Sequence, residues 1–137
     1  MRKFDATRLY LYLGFTTSLL FSMIFVVTSF YEATVAGLSG LQLVLVGTTV
    51  ELTVLLFEVP TGVVADAYSR RLSIIIGYFI MGWAFIVEGL FPVFLPIVLA
   101  QVLWGVGYTF TSGAQQAWLS DEIGEENANR TFLHANR

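Results

Sequence analysis

Residues 41–91 read LQLVLVGTTVELTVLLFEVPTGVVADAYSRRLSIIIGYFIMGWAFIVEGLF. Two apolar runs, about Leu41 to Val64 and Leu72 to Phe91, flank one short charged break from Asp66 to Arg71. A helix needs about 20 mostly apolar residues to cross a bilayer, and each run supplies them. The same pattern recurs on either side. Upstream, Leu9 to Phe30 carries no charge at all, and downstream an apolar run extends from about Pro96 to Leu119. The reading is an all-α, polytopic transmembrane bundle with spans at about 9–30, 41–64, 72–91 and 96–119 and a polar tail over 120–137. Leu9–Phe30 is too long for the apolar core of a cleaved signal peptide, and it leads into more membrane.

Composition supports this reading. Of 137 residues, 56% are hydrophobic and 12% charged, with a mean hydropathy of +0.74. A soluble domain carries about 25% charged residues because its surface faces water. Here the charges gather in the N-terminus, the Asp66–Arg71 break and the tail beyond Asp121. The net charge of -3 therefore describes loops, and no basic patch points to nucleic acid. Cysteine is absent and His134 is the single histidine, so thiolate metal sites, His-based metal pairs and Ser-His triads are excluded. No phosphate-binding loop of the nucleotide type occurs. No cofactor is implied, and nothing points to an enzyme.

Lysine and arginine orient the spans. Arg2, Lys3 and Arg8 precede the first span, and Arg70 and Arg71 separate the second from the third. The connections around Glu32 and from Phe91 to Pro96 have no basic residue. The N-terminus, the Asp66 loop and the tail are thus expected on the cytoplasmic side of the cell membrane, which puts the Asn129-Arg130-Thr131 sequon on the wrong side for glycosylation. Gly37, Gly40, Gly47, Gly62, Gly77, Gly82, Gly105, Gly107 and Gly113 would let helices approach closely. Pro60, inside the second span, predicts a kink.

Carboxylates within spans are costly, about 2.5–3.5 kcal/mol at the bilayer centre, and usually face protein or a hydrated cavity. Glu51 lies near the middle of the second span. Glu58 follows seven residues later in almost the same helical direction, on a stripe with Val44, Gly47, Thr48, Leu55, Gly62 and Ala65. That stripe should face protein. Two readings of Glu51 stay open: titration that couples protons or recognises a cation, and a structural hydrogen bond to a neighbouring helix. Glu88 is expected to snorkel to the outer interface, without a function. In the fourth span Gln101, Gly105, Tyr108, Ser112 and Gln115 recur at three- and four-residue spacing and would line a polar cavity, with Thr16, Thr17, Ser18 and Ser22 of the first span available beside them.

The break itself, GVVADAYSRR over Gly62–Arg71, resembles the signature loop of the major facilitator superfamily: Gly, three residues, Asp, a base, any residue, Gly, Arg, a base. Gly62, Asp66, Arg70 and Arg71 match, whereas Ala67 and Ser69 stand in place of a base and a Gly. The preceding FEVPT (Phe57–Thr61) and the later WGVGY (Trp104–Tyr108), with Asp121-Glu122 and Asn129-Arg130 beyond, are also similar to family members. The resemblance implies secondary active transport of a small solute by alternating access, with efflux among its directions. It also implies a twelve-span protein in two six-helix halves, of which these residues are the first three-helix repeat plus one helix. The partners so implied are the lipid bilayer, a small-molecule substrate, a C-terminal transporter half and, as a coupling ion, protons. Asp66 would meet the N-terminal dipole of a helix in the other half, and Arg70 would link it to an acid at the end of the fourth span, Asp121, closing the cytoplasmic face. Spacing alone already pairs Asp66 with Arg70, four residues apart. An exposed pair contributes only about 0.2–1 kcal/mol, too little to hold a gate unless a second body desolvates it. Many proton-coupled exporters of the superfamily carry Arg where Gln101 stands, which separates this chain from their pattern. The other reading is a stand-alone four-helix membrane protein, either a small oligomeric exporter or a scaffold without transport. Small multidrug exporters place a Glu in their first span, and Leu9–Phe30 has none.

Overall fold

The computed structural model describes residues 3–128. Four helices follow in order: α1 (Lys3–Thr34), α2 (Gly40–Ala67), α3 (Arg70–Leu90) and α4 (Phe94–Ile123); a further helical turn covers 125–128. There is no strand among the described residues. All four are long and apolar enough to cross a membrane. The helices overrun the apolar runs at most ends. At about 1.5 Å per residue, the 32 residues of α1 extend about 48 Å, well past a hydrocarbon core of about 30 Å. The sequon at Asn129 and His134 lie outside the described residues.

Short turns separate the helices, and Gly37, Ser39 and Ser69 mark where the chain stops one helix and starts the next. Gly37 adopts φ +61 between α1 and α2, a left-handed conformation that costs glycine little. Ser39 then caps α2 in a reciprocal arrangement: its Oγ accepts from Gln42 N at 3.4 Å, and its N–H donates to Gln42 Oε1 at 2.9 Å. Ser69 caps α3 by accepting from Leu72 N at 3.4 Å. The Ser that departs from the superfamily's loop pattern thus closes a helix N-terminus. Pro60 lies within α2 and removes the backbone donor that would serve Leu56 O; beside it the Thr61 hydroxyl donates to Phe57 O at 2.7 Å.

α4 is the hub. It packs most extensively on α3, then on α2, and more thinly on α1. The α3–α4 crossing is close because glycines meet glycines. A Cβ at Gly77 would fall 2.6 Å from Gly107 O, and one at Gly107 would fall 2.8 Å from Gly77 O. Gly105 does the same job against Thr53 of α2, where an added Cβ would lie 2.9 Å from its Cβ. Of the nine glycines expected to permit close approach, these three do so among the described residues; Gly37, Gly40, Gly47, Gly62, Gly82 and Gly113 face open space.

Two apolar clusters mark the ends of the bundle. At one end Ala6 packs with Trp118, Leu119, Ile123 and Ala128, which brings the start of α1 to the end of α4 beside the α2–α3 turn. At the other end Leu38, Val46 and Ile97 pack together. Between them the outer surface is apolar: Phe15, Val26, Leu55 and Val59 are each at least 70% exposed. A water-facing protein seldom shows so continuous an apolar surface, whereas a bilayer requires one, with every backbone group paired inside helices.

One expected protein-facing stripe is not covered by these four helices. The α2 stripe of Glu51 and Glu58 was expected to face protein, yet both residues are exposed, as are Val44, Gly47, Thr48, Leu55 and Gly62; only Ala65 is buried. α2 instead turns Val46, Thr53, Thr61 and Ala65 inward. Small Thr and Ala side chains fit against Gly105 and its neighbours on α4, and two carboxylates would not.

Candidate functional site

At the α2–α3 turn the polar residues converge as their spacing suggests. Asp66 ends α2 and Arg70 begins α3, so the pair bridges the turn. Arg70 Nε and Nη2 donate to Asp66 Oδ1 at 3.2 and 3.1 Å. From there the guanidinium reaches α4, where Nη1 donates to Asp121 Oδ2 at 2.5 Å and to Ala117 O at 3.0 Å. Arg71 pairs with Glu122 in parallel. The fork geometry of arginine makes this three-way contact possible. Both aspartates are more than 60% exposed, against 30% for Arg70. A cleft of about 220 Å³ opens beside the network, and Glu58, Gly62, Asp66, Arg70, Ser112 and Gly113 line part of it. Five of the sequence-selected residues therefore share one concavity between α2 and α4.

The α4 stripe divides into three environments. Gln115 Nε2 donates to Tyr78 OH at 2.6 Å, and that hydroxyl lies 3.1 Å from Thr17 Oγ1, linking α4, α3 and α1. Tyr108 stacks on Trp104 with centroids 5.3 Å apart, while Phe21 and Phe25 of α1 meet the same indole edge-on. Gln101 is buried at the far end, not lining an open polar cavity alone. Its Nε2 donates to Glu32 Oε1 at 3.4 Å and to Glu88 Oε2 at 3.3 Å.

That last cluster corrects the sequence reading. Glu88 was expected to snorkel and Glu32 to sit in an outer loop. Glu88 is 3% exposed and Glu32 7%, the latter in the last turn of α1. The signal was present in α3. Ser73, Gly77, Met81, Ala84 and Glu88 recur every three or four residues, and all five are buried. The small residues on that stripe identify the packed face, and Glu88 belongs to it. Beside the cluster a cleft of about 360 Å³ is lined by Phe25, Ser29, Glu32, Val46, Gly47 and Gln101, among others. Among the described residues no group of three or more His, Cys, Asp or Glu is arranged to hold a metal ion.

A four-helix membrane bundle whose second and third helices are joined by an Asp-Arg-Arg turn, tied back to the acidic end of the fourth, defines a polytopic membrane protein of transporter type. The sequence model of the Major Facilitator Superfamily matches residues 2–133. An uncharacterised MFS-type transporter of Bacillus subtilis (strain 168), YxaM, is 34% identical over 99 residues, covering 68% of this chain and 23% of that protein. The chain belongs to the Major Facilitator Superfamily. It spans about a quarter of the length of the curated relative that it matches. No solved structure matches it.

Proposed function

We propose that this chain is the opening portion of a secondary active transporter that moves a small solute by alternating access. One observation carries the proposal. The α2 face bearing Glu51, Glu58 and Gly62 carries two carboxylates among apolar residues, and α1, α3 and α4 leave it uncovered. Intramembrane carboxylates seldom face lipid. A second helical body laid on that face would cover them and would press on the Asp66–Arg70–Asp121 network at its end. Pairs that contribute little while exposed couple more strongly once desolvated, so the network becomes a latch between two bodies. Gly62, where an added Cβ would touch nothing, leaves room for the second body to come close. Arg71 and Glu122 strengthen the same end, and the positive-inside rule supports a cytoplasmic side for it. Between the ends, Tyr108, Ser112 and Gln115 offer hydrogen-bonding groups for a solute on the α4 side, whereas Gln101 is committed to Glu32 and Glu88.

The proposal is tested by Asp66→Asn in the intact transporter. At equal membrane level, uptake or efflux should fall roughly fivefold or more, the loss expected for a coupling of about 1 kcal/mol or greater. Equal rates in variant and parent would remove the latch. A stand-alone bundle is the second reading: as a small oligomeric exporter it would give solute flux from these helices alone, and as a scaffold it would give none in any assay.

A further inference from the structure

The Glu32–Glu88–Gln101 cluster has a charge problem that its neighbours do not solve. Two carboxyl groups, both more than nine-tenths buried, touch one amide and lie against each other. The titratable groups that face them can be named helix by helix. α1 brings Glu32 and Tyr31, whose hydroxyl is committed to Gly89 O at 3.2 Å. α2 contributes Leu43, Val46, Gly47 and Val50 to the cleft, none of them titratable. α3 brings Glu88, and α4 brings the neutral Gln101. No lysine, arginine or histidine lies among the residues lining the cleft. Arg8 is 24 residues from Glu32 on the same helix, about 36 Å along its axis, and Arg70 and Arg71 sit at the opposite end.

Two ionised carboxylates in such a place would repel each other with no cation to offset them, and like charges sharing a site do not both ionise. Gln101 has two amide hydrogens and gives one to each carboxyl, at 3.3 and 3.4 Å, the weak end of hydrogen bonding. Gln101 thus serves Glu32 Oε1 and Glu88 Oε2, two of the four carboxyl oxygens. Glu88 Oε1 is buried and receives no hydrogen bond from any donor among the described residues. A buried carboxylate oxygen without a donor is costly, but the same oxygen carrying a hydrogen is itself a donor. The adjacent Glu32 carboxylate is then its acceptor.

We propose that Glu32 and Glu88 form a one-proton site, with the proton seated on Glu88 Oε1 and shared toward Glu32, at the end of the bundle opposite the arginine network. Loading forms one O–H bond, takes the proton from water in the neighbouring cleft and changes the pair from two negative charges to one. Unloading returns that proton to water and leaves two carboxylates that repel, pushing the end of α1 away from α3 and α4. Gln101 Nε2 points hydrogens into the pair, which disfavours a metal cation there. The proposal rests on the membrane placement of the transporter reading but not on transport. A silent flux assay and a failed proton assignment are separate results.

Infrared difference spectroscopy of the chain in lipid nanodiscs tests it. At neutral pH, parent minus Glu32→Gln/Glu88→Gln should show the loss of one carboxylic-acid carbonyl band and one ionised-carboxylate band, in a one-to-one ratio. Glu125→Gln, at an exposed residue of the α4 tail, should remove only carboxylate intensity. Two carboxylate bands and no acid band would overturn the proposal, and so would two acid bands. The unmodified chain provides a readout that needs no folded variant. Raising the pH at constant Na⁺ should convert an acid band to a carboxylate band. Conversion by added Na⁺ at constant pH would mean a metal-cation site and would overturn the proton.

Discussion

At one end of the bundle Arg70 and Arg71 meet Asp66, Asp121 and Glu122 in the open, with the two aspartates more than 60% exposed. At the other end Glu32 and Glu88 are buried with a neutral amide and no basic residue in the cleft beside them. Both ends join helices distant in sequence through carboxylates. The physics differs because the surroundings do. An exposed pair already has solvent as a competing partner, so forming or breaking it changes little in this chain by itself. A buried carboxyl has no such alternative, and its few partners hold it in place. The open end is therefore free to respond to a second body, while the closed end is tied to the integrity of the four helices.

The largest effect expected from this contrast is on stability. Gln101→Leu keeps the size of the side chain but removes the donor shared by Glu32 and Glu88. It should cost about 1–3 kcal/mol for each carboxyl left without that donor. Arg70→Leu, which deletes more hydrogen bonds on paper, should cost about 1 kcal/mol or less per exposed pair. Reversible unfolding in mixed micelles, followed by tryptophan fluorescence, ranks the two. Equal losses would erase the distinction between the ends.

How much of this was legible beforehand follows the same line. The four helices were plain in the sequence because bilayer spans announce themselves by length and hydropathy. The Asp66–Arg70–Asp121 contact was legible because spacing and the superfamily's loop pattern agreed. The Glu32–Glu88 pair was not. Position near a span's end is compatible both with snorkelling and with packing, and only the side a helix turns toward its neighbours decides between them. α3 turned its Gly77, Met81 and Ala84 stripe inward, and Glu88 went with it. α2 differs in the opposite sense. Glu51 and Glu58 were assigned a packed face because carboxylates avoid lipid, but within these helices the packed face is the one with Thr53, Thr61 and Ala65. A rule about solvent could not say which protein surface covers them.

Glycines sharpen the contrast at an intermediate scale. Gly107 sits in the closed α3–α4 crossing, where an added Cβ would come 2.8 Å from both Gly77 O and Met81 Cγ. Backbone cannot move aside as a side-chain tip can, so Gly107→Ala should destabilise the bundle by about 1–3 kcal/mol. Gly62 belongs to the open face, and nothing lies within 4 Å of its added Cβ. Gly62→Ala should leave the stability of these helices within about 0.5 kcal/mol of the parent. Any larger consequence should appear in transport by the intact protein, where a second body would meet the new methyl. A destabilisation at Gly62 matching that at Gly107 would mean that the α2 face is packed and not waiting for a partner.

The smallest effect isolates the electrostatics. Salt screens exposed charges over about 8 Å at 0.15 M and about 3 Å at 1 M, while buried groups feel it far less. Raising salt should therefore loosen the arginine network and leave the Gln101 cluster unmoved. The backbone reports this locally, since Tyr68 N–H bonds Val64 O at 3.1 Å at the end of α2, beside the Asp66–Arg70 bridge. Weakening pairs that contribute about 0.2–1 kcal/mol each should speed hydrogen exchange at the α2–α3 turn by about 1.4- to fivefold. Amides around Glu88 should exchange at an unchanged rate. A salt response at both ends would mean that dissolved ions screen the carboxyl pair as they do the arginines, and the buried environment that separates the two ends would be lost. No response at either end would mean that something other than charge holds Arg70 between Asp66 and Asp121, with the carbonyl of Ala117 the first group to examine.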